Sequence, residues 1–227
     1  MLKSVRSPVA ASRWRSAMGS LVGALRRAYR QADAPVKKMP SQGPFRILIS
    51  AVLSTRTQDP VTSAASARLL RAAPGPEELS KLRPVQIEKL IYPVGFYRVK
   101  ARQLCAIGRL LVRCGQGEVP RTMDELLQLP GVGRKVANIV LSRGFGVPAI
   151  AVDAHVHRIS NRLGLVRTRT PEQTERQLEV VLPRRHWIEW NCLLVALGQT
   201  ICRPQHPRCS VCPVKRWCCR IGVADDS

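Results

Sequence analysis

Two residues, Lys135 and Asp153, have the clearest catalytic potential in this sequence. Lys135 ends the stretch Leu129-Pro-Gly-Val-Gly-Arg-Lys135, and Asp153 follows it by 18 positions. A lysine amine can act as a nucleophile that forms a Schiff base, and a carboxylate can stabilise a developing cation. Asp153 also directly precedes a predicted helix, where a plain N-cap role would explain it equally well.

The stretch before Lys135 predicts two short helices joined by a tight glycine turn. Thr122-Met-Asp-Glu125 has the pattern of a capping box that opens the first helix, and apolar residues after Lys135 recur at helical spacing. Because Gly131 and Gly133 have no Cβ, the N–H groups of the turn can approach a phosphate closely. Arg134 adds a positive charge there. We expect a phosphate contact, although an ordinary helix connection has the same pattern.

Cysteine spacing near the end of the chain predicts a metal site. Four of the eight cysteines follow the pattern C-x6-C-x2-C-x5-C: Cys202, Cys209, Cys212 and Cys218. Zinc sites usually take two short-spaced pairs, so four closely placed thiolates favour a [4Fe–4S] cluster and leave zinc as the alternative. Cys219 is an alternative to Cys218 as the fourth ligand. Cys105, Cys114 and Cys192 lie on predicted helices, where we expect them in the core.

The composition indicates a polyanionic partner. The 227 residues include 37 Lys and Arg against 15 Asp and Glu, a net charge of +22. Nucleic acid is the expected partner, and an aromatic content of 4% argues against a single-strand binder built on stacking. Arg203 and Arg208 lie at the two ends of a basic loop between the first two clustered cysteines, where we expect a phosphate contact. We recognise no membrane span. Four crowded cysteines without a recognisable signal peptide favour a reducing compartment with metal ligands.

The helical spacing of apolar residues predicts an all-α fold. Before the hairpin, helices are predicted at about 45–54, 60–72, 76–82, 84–92 and 98–113, and none of these segments alternates with period two. Residues 1–30 hold seven basic residues and no acidic one, which is compatible with a transit peptide. We favour an N-terminal helix over about 15–32, followed by a linker from Pro35 to Pro44.

Further helices are predicted after the hairpin. Asp153 is placed to cap one that begins near Val156, and Thr170-Pro-Glu-Gln173 opens the next with a cap and a first-turn proline. A third helix is predicted over about 187–197, with Gly198 ending it.

Together these motifs resemble the endonuclease III family of DNA glycosylase/lyases, part of the helix-hairpin-helix superfamily. The resemblance is carried by the hairpin with its lysine, by Ala151-Val-Asp-Ala-His-Val-His-Arg158 and by the four cysteines. Ile91-Tyr-Pro-Val-Gly-Phe96 and Leu194-Val-Ala-Leu-Gly-Gln199 add to it. It implies a six-helix barrel domain with the hairpin over 39–148 and an iron–sulfur cluster domain made of 1–38 and 149–227.

The resemblance also implies an activity and a role for several residues. The family members excise oxidised pyrimidines from duplex DNA and cleave the strand 3′ to the abasic site by β-elimination, in base excision repair. Lys135 matches the family's nucleophile and Asp153 its catalytic carboxylate. Arg56 and Phe96 match residues that fill the space left by a flipped nucleotide, with Arg56 replacing a frequent glutamine. His155 is a further predicted DNA contact.

Two other functions are compatible with the same motifs. A monofunctional glycosylase would share the hairpin and the cluster, but Lys135 disfavours it because the lyase step needs an amine. A non-catalytic DNA-binding protein would have no reason to carry both Lys135 and Asp153. We expect a monomer that binds damaged or abasic duplex DNA and no membrane. We expect it in the cytoplasm or nucleoid of a prokaryote, or in a nucleus or mitochondrion if the N-terminus is a targeting segment.

Overall fold

The computed structural model describes residues 8–34, 36 and 43–223, and it contains no β-strand among them. The α-helices are α1 (Pro8–Gln31), α2 (Pro44–Ser54), α3 (Asp59–Ala72), α4 (Pro76–Lys81), α5 (Pro84–Ile91), α6 (Tyr97–Gly115), α7 (Met123–Leu127), α8 (Arg134–Ile139), α9 (Ala154–Leu163), α10 (Pro171–Val181) and α11 (Trp187–Thr200). A π-helical turn, Val140–Gly144, extends α8. The all-α prediction is therefore confirmed.

Helix starts follow from local sequence. Proline occupies one of the first two positions of α2, α3, α4, α5 and α10, where its missing N–H costs no hydrogen bond. The predicted caps are present: the side chain of Thr122 accepts from Glu125 N, and that of Thr170 accepts from Gln173 N. The N-terminal helix α1 begins at Pro8, earlier than predicted.

The chain divides into two compact units, Lys38–Ala151 and Met1–Lys37 together with Val152–Ser227. In the first unit, α2 lies in the core and packs against α3, α6, α8 and the π-helical turn. All residues of Ile47–Leu53 are buried, as expected for a helix that is apolar on every side. The assignment of a barrel domain and a cluster domain stays a prediction.

In the second unit, α11 packs against α1 and α9, and α10 packs against α9. Arg26 of α1 donates to both carboxylate oxygens of Glu189, at 2.8 and 2.7 Å. One prediction here is wrong, because α11 continues through Gly198 to Thr200. A Cβ on Gly198 would clash with Nδ1 of His155. The glycine therefore makes room for a neighbouring side chain and does not end the helix.

Two further expectations concern burial. Cys105 is buried and Cys192 is partly buried, but Cys114 is exposed near the end of α6, so its placement in the core was wrong. The last turn of a helix can extend beyond the core even when its middle is covered, and spacing alone does not show where the cover ends.

Within the described residues, no helix combines the length and the low polarity that a membrane crossing would need.

Candidate functional site

The predicted hairpin is formed by α7, a glycine turn and α8. Gly131 has φ of 78°, a backbone conformation that residues with a Cβ rarely adopt, so this position favours glycine. Gly133 is the N-cap residue of α8 in an extended conformation, and a Cβ on it would meet nothing within 4 Å. The backbone at Gly133 is therefore open to the approach of a ligand.

Lys135 lies on the first turn of α8 and is partly buried. A second lysine, Lys100 of α6, is near enough for the two positive charges to interact. Burial, and then the charge of Lys135, lower the pKa of Lys100 to about 8. Lys100 was not among the predicted site residues. It precedes Leu104 by four positions and Ile107 by seven, so its place on the apolar face of α6 was the available signal.

The amine of Lys100 is held by oxygen atoms in the last turn of α2 and directly after it. Only 4% of Lys100 is exposed, and its Nζ donates to the carbonyl oxygens of Leu53 and Thr55, at 2.8 and 2.5 Å. A third bond goes to Thr57 Oγ1 at 3.1 Å. Carbonyl groups at the end of a helix lack intrahelical partners and favour a cation. Lys100 supplies both donors and charge there.

Arg56 and Phe96, the predicted void fillers, contact each other. The guanidinium carbon of Arg56 is 5.6 Å from the centroid of the Phe96 ring. Both residues have left-handed backbone conformations, with φ of 50° and 58°, which are uncommon for side chains with a Cβ. Phe96 is 60% exposed. The two turns thus present an exposed aromatic ring beside a cation.

Asp153 caps α9 as predicted, because its Oδ1 accepts from Val156 N at 2.9 Å. Arg158, further along α9, interacts with the charge of Asp153 and donates to the carbonyl oxygen of Cys202 at 2.8 Å. Burial lowers the pKa of Arg158, and the charges of Cys202 and Asp153 oppose that shift. Lys135 and Asp153 belong to different units of the chain.

His155 also lies on α9 and is oriented by its neighbours. Its Nδ1 is 3.2 Å from Nη2 of Arg158, and its ring packs where Gly198 leaves room. A guanidinium has only donors, so Nδ1 is the acceptor in this pair and the ring proton is on Nε2. The contact of His155 with DNA stays a prediction.

The four clustered cysteines line one cavity. Its other lining residues include Arg162, Lys215 and Arg220, and among the described residues it takes in Cys218 but not Cys219. Burial raises the pKa of Cys212 to about 11 and also raises that of Cys218. Thiols in such a place become thiolates only when a bound cation supplies positive charge. In the described part of the chain, no three His, Cys, Asp or Glu side chains are grouped as a single-ion site requires.

Donors around the cavity point at the cysteine sulfurs, which carry negative charge as thiolates when a metal group is bound. Arg162, a buried residue of α9, donates to Cys202 Sγ at 3.4 Å and to the carbonyl oxygen of Arg203 at 2.7 Å. The backbone N–H of Arg220 points at Cys218 Sγ, 3.4 Å away. Such bonds to ligating sulfurs are typical of iron–sulfur sites. The residues present therefore fit an all-cysteine cluster.

Arg203 and Arg208, the predicted loop contacts, are exposed. The loop between them is fixed at its base, since Arg208 N donates to the carbonyl oxygen of Ile201 at 3.0 Å. Arg162 also donates to the carbonyl oxygen of Pro204 at 2.8 Å. The two arginines thus extend from a loop whose backbone is anchored to α9.

Comparison with known proteins identifies the family. The HhH-GPD superfamily of base excision DNA repair proteins matches residues 49–184, more than half of the chain. Endonuclease III of Thermotoga maritima is 52% identical over 175 residues, which cover 77% of this chain and 82% of that protein. The chain belongs to the endonuclease III family. The chloroplastic endonuclease III homolog 1 of Arabidopsis thaliana is 39% identical over 213 residues, and the chain spans 56% of its length.

A solved structure of an endonuclease III supports the same assignment. A trapped endonuclease III–DNA covalent intermediate, in an estranged-adenine complex, is 34% identical with a TM-score of 0.81, covering 91% of this chain and 96% of that chain. The predicted family, fold and enzyme class are confirmed. The chain is a base excision repair enzyme of the endonuclease III family, a DNA glycosylase and AP lyase.

Proposed function

We propose that this enzyme excises oxidised pyrimidines from duplex DNA with Lys135 as a covalent nucleophile. The observation that carries this proposal is the position of Lys135 on the first turn of α8, directly after a glycine turn whose backbone is open at Gly133. That turn suits a DNA phosphate, which would bring the sugar of a flipped nucleotide to the amine. The covalent DNA intermediate trapped in a 34% identical relative supports this route.

The chemistry follows from the amine. Nζ of Lys135 attacks C1′ of the damaged nucleotide, the bond from C1′ to the base breaks, and the base leaves with a proton. Opening of the sugar ring gives an iminium between Nζ and C1′, which acidifies the C–H at C2′. Loss of that proton expels the 3′ phosphate and cleaves the strand. A hydroxyl nucleophile could not form the iminium, so the lyase step requires the amine.

Asp153 is the proposed carboxylate partner. Its Oδ1 is engaged by Val156 N, which fixes the side chain, and Asp153 is partly exposed. A fixed anion stabilises the cationic sugar that develops as the base leaves. We assign Asp153 this electrostatic role because a carboxylate is about six pKa units too acidic to deprotonate an ordinary lysine efficiently.

We also propose that the cysteine cavity holds a [4Fe–4S] cluster. The ligands would be the four cysteines that line it: Cys202, Cys209, Cys212 and Cys218. When bound, the cluster supplies the positive charge that turns buried thiols into thiolates, and it links the basic loop from Arg203 to Arg208 to the rest of the unit. None of the proposed catalytic steps passes through it. Zinc is the alternative occupant.

Borohydride trapping tests the nucleophile. Reduction during turnover on an oxidised-pyrimidine duplex should convert the iminium into a stable protein–DNA adduct. Lys135→Gln should abolish both trapping and base release but keep DNA binding, because the glycine turn and the basic surface remain. Lys89→Gln, which removes an exposed lysine from α5 of the same unit, is the matched control and should trap like the wild type.

The same assay measures the contribution of Asp153. Asparagine caps helices nearly as well as aspartate, so Asp153→Asn should fold but excise about 10²–10³-fold more slowly. If Lys135→Gln still forms the adduct, another amine is the nucleophile and the assignment is wrong. Base release by the wild type without a trapped adduct would show that no covalent lysine intermediate forms.

A further inference from the structure

Two turns of the first unit meet at their backbones and carry Arg56 and Phe96 at their tips. Gly95 N donates to Thr57 Oγ1 at 3.2 Å, and a Cβ on Gly95 would lie 2.5 Å from the carbonyl oxygen of Arg56. Both tip residues have the left-handed conformation. Because that conformation is unfavourable for residues with a Cβ, the surrounding structure must hold it in place.

The amine of Lys100 is the point at which these two turns are joined. Its Nζ bonds to Thr55 O and to Thr57 Oγ1, on either side of Arg56 in the sequence. The same hydroxyl of Thr57 accepts from Gly95 N, next to Phe96. The backbone N–H of Lys100 donates to the carbonyl oxygen of Phe96 at 3.0 Å. One residue therefore contacts both turns.

A lysine at this place is costly, which argues for a role. Lys100 is 4% exposed, and burial of a charged amine without a carboxylate is unfavourable. Its three acceptors are carbonyl and hydroxyl oxygens, and the nearby Lys135 adds repulsion. A methionine would fill the same volume without either penalty. It would also leave the oxygens at the end of α2 without a donor, and the Arg56 turn would lose its hydrogen bonds to the Lys100 amine.

We propose that Lys100 is a positioning residue for base extrusion, which holds Arg56 and Phe96 in the conformation that enters the DNA duplex. The inference rests on the proposed function, since it needs a nucleotide to be flipped. A filler of the vacated space is needed most when a paired base must leave the stack and least when the base is already missing. Lys100 should therefore affect base excision more than cleavage at an abasic site.

The test is a double-mutant cycle between Lys100→Met and Phe96→Ala. Single-turnover excision of 5-hydroxycytosine opposite guanine is measured together with nicking of a preformed abasic site. Lys100→Met should slow excision roughly 10- to 100-fold, as misplacement of a positioning group does, and leave nicking nearly unchanged. The double variant should be no slower than the slower single variant, because Lys100 acts through the turn that presents Phe96.

The controls separate loss of positioning from loss of folding and from the removal of one positive charge. Lys81→Met removes an exposed lysine of α4 in the same unit and should excise like the wild type. Thermal melting is recorded for every variant. If Lys100→Met does not fold, Thr57→Val removes only the hydroxyl that bridges Lys100 and Gly95, and it should show the same loss of excision with retained nicking.

The possible results distinguish failure of the proposed role of Lys100 from failure of the proposed substrate. Additive losses in the cycle, equal losses on both substrates, or normal excision by a folded Lys100→Met or Thr57→Val would overturn the role of Lys100. Failure of the wild type to excise 5-hydroxycytosine would overturn the proposed substrate instead. A 2-aminopurine opposite the lesion gives an independent signal, since its fluorescence should rise on binding of the wild type and rise less with Lys100→Met.

Discussion

At the scale of single residues, the surroundings decide what identical side chains can do. Lys100 and Lys135 carry the same amine, but Lys100 is fixed by three oxygen atoms, whereas Lys135 follows a turn that is open at Gly133. The surroundings of Lys100 suit a structural role, and those of Lys135 suit attack on a sugar. Residue type alone does not separate these two roles.

Truncation of Phe96 tests the exposed ring directly. Stacking of a base on an aromatic side chain contributes about 1–3 kcal/mol, so Phe96→Ala should slow excision of a paired oxidised base by roughly 5- to 150-fold. Nicking of a preformed abasic duplex should stay near the wild-type rate. Phe96→Leu keeps an apolar filler and serves as the matched control. An equal loss on both substrates would mark Phe96 as a folding residue.

At the scale of elements, α9 connects the carboxylate with the cysteine segment. Asp153 caps its start, and Arg162 near its end donates to Cys202 Sγ and to backbone oxygens of the basic loop. The loop from Arg203 to Arg208 is therefore ordered by one helix on one side and by clustered cysteines on both ends. If the proposed cluster is bound, its loss should release this loop before it affects the first unit.

Metal analysis tests the cysteine segment. The purified protein should be yellow-brown and contain about four irons per chain, as an all-cysteine cubane requires. Cys218→Ser should lose iron and weaken DNA binding, whereas Cys219→Ser should keep both, because Cys218 lines the cavity. An active, colourless protein with stoichiometric zinc would show that the metal was assigned wrongly. If only Cys219→Ser lost iron, the fourth ligand would be Cys219 and not Cys218.

At the scale of the whole molecule, charge governs the encounter with DNA. A net charge of +22 on 227 residues creates a strong attraction for a duplex of any sequence. Neutralised phosphates release counterions, so binding of undamaged duplex should weaken steeply with salt. Selection of the damaged nucleotide must then come from the site and not from this attraction.

A pair of loop arginines tests how much of that attraction is localised. Arg203→Ala with Arg208→Ala should reduce the slope of log affinity against log salt by about two units if both contact phosphates. Arg169→Ala with Arg176→Ala removes two other exposed arginines of the same unit and controls for net charge. An unchanged slope in the loop variant, or an equal change in the control, would remove the loop from the DNA interface.

Much of this protein is determined by short stretches of sequence. Prolines and capping residues set the helix starts, and the glycine turn places Lys135 on the first turn of α8. The spacing of four cysteines predicted a metal site, and all four line one cavity. These features depend on hydrogen bonds and conformational preferences within a few residues, so the local sequence is sufficient to specify them.

Tertiary structure decided what depends on segments far apart in the chain. The acceptors of Lys100 lie more than 40 positions before it, and the contact of Arg56 with Phe96 joins two separate turns. Gly198 has a local pattern typical of a helix end, yet His155 occupies the space its missing side chain leaves. Such contacts arise from the packing of whole helices. The periodicity of one segment does not predict which side chain of another helix will pack against it.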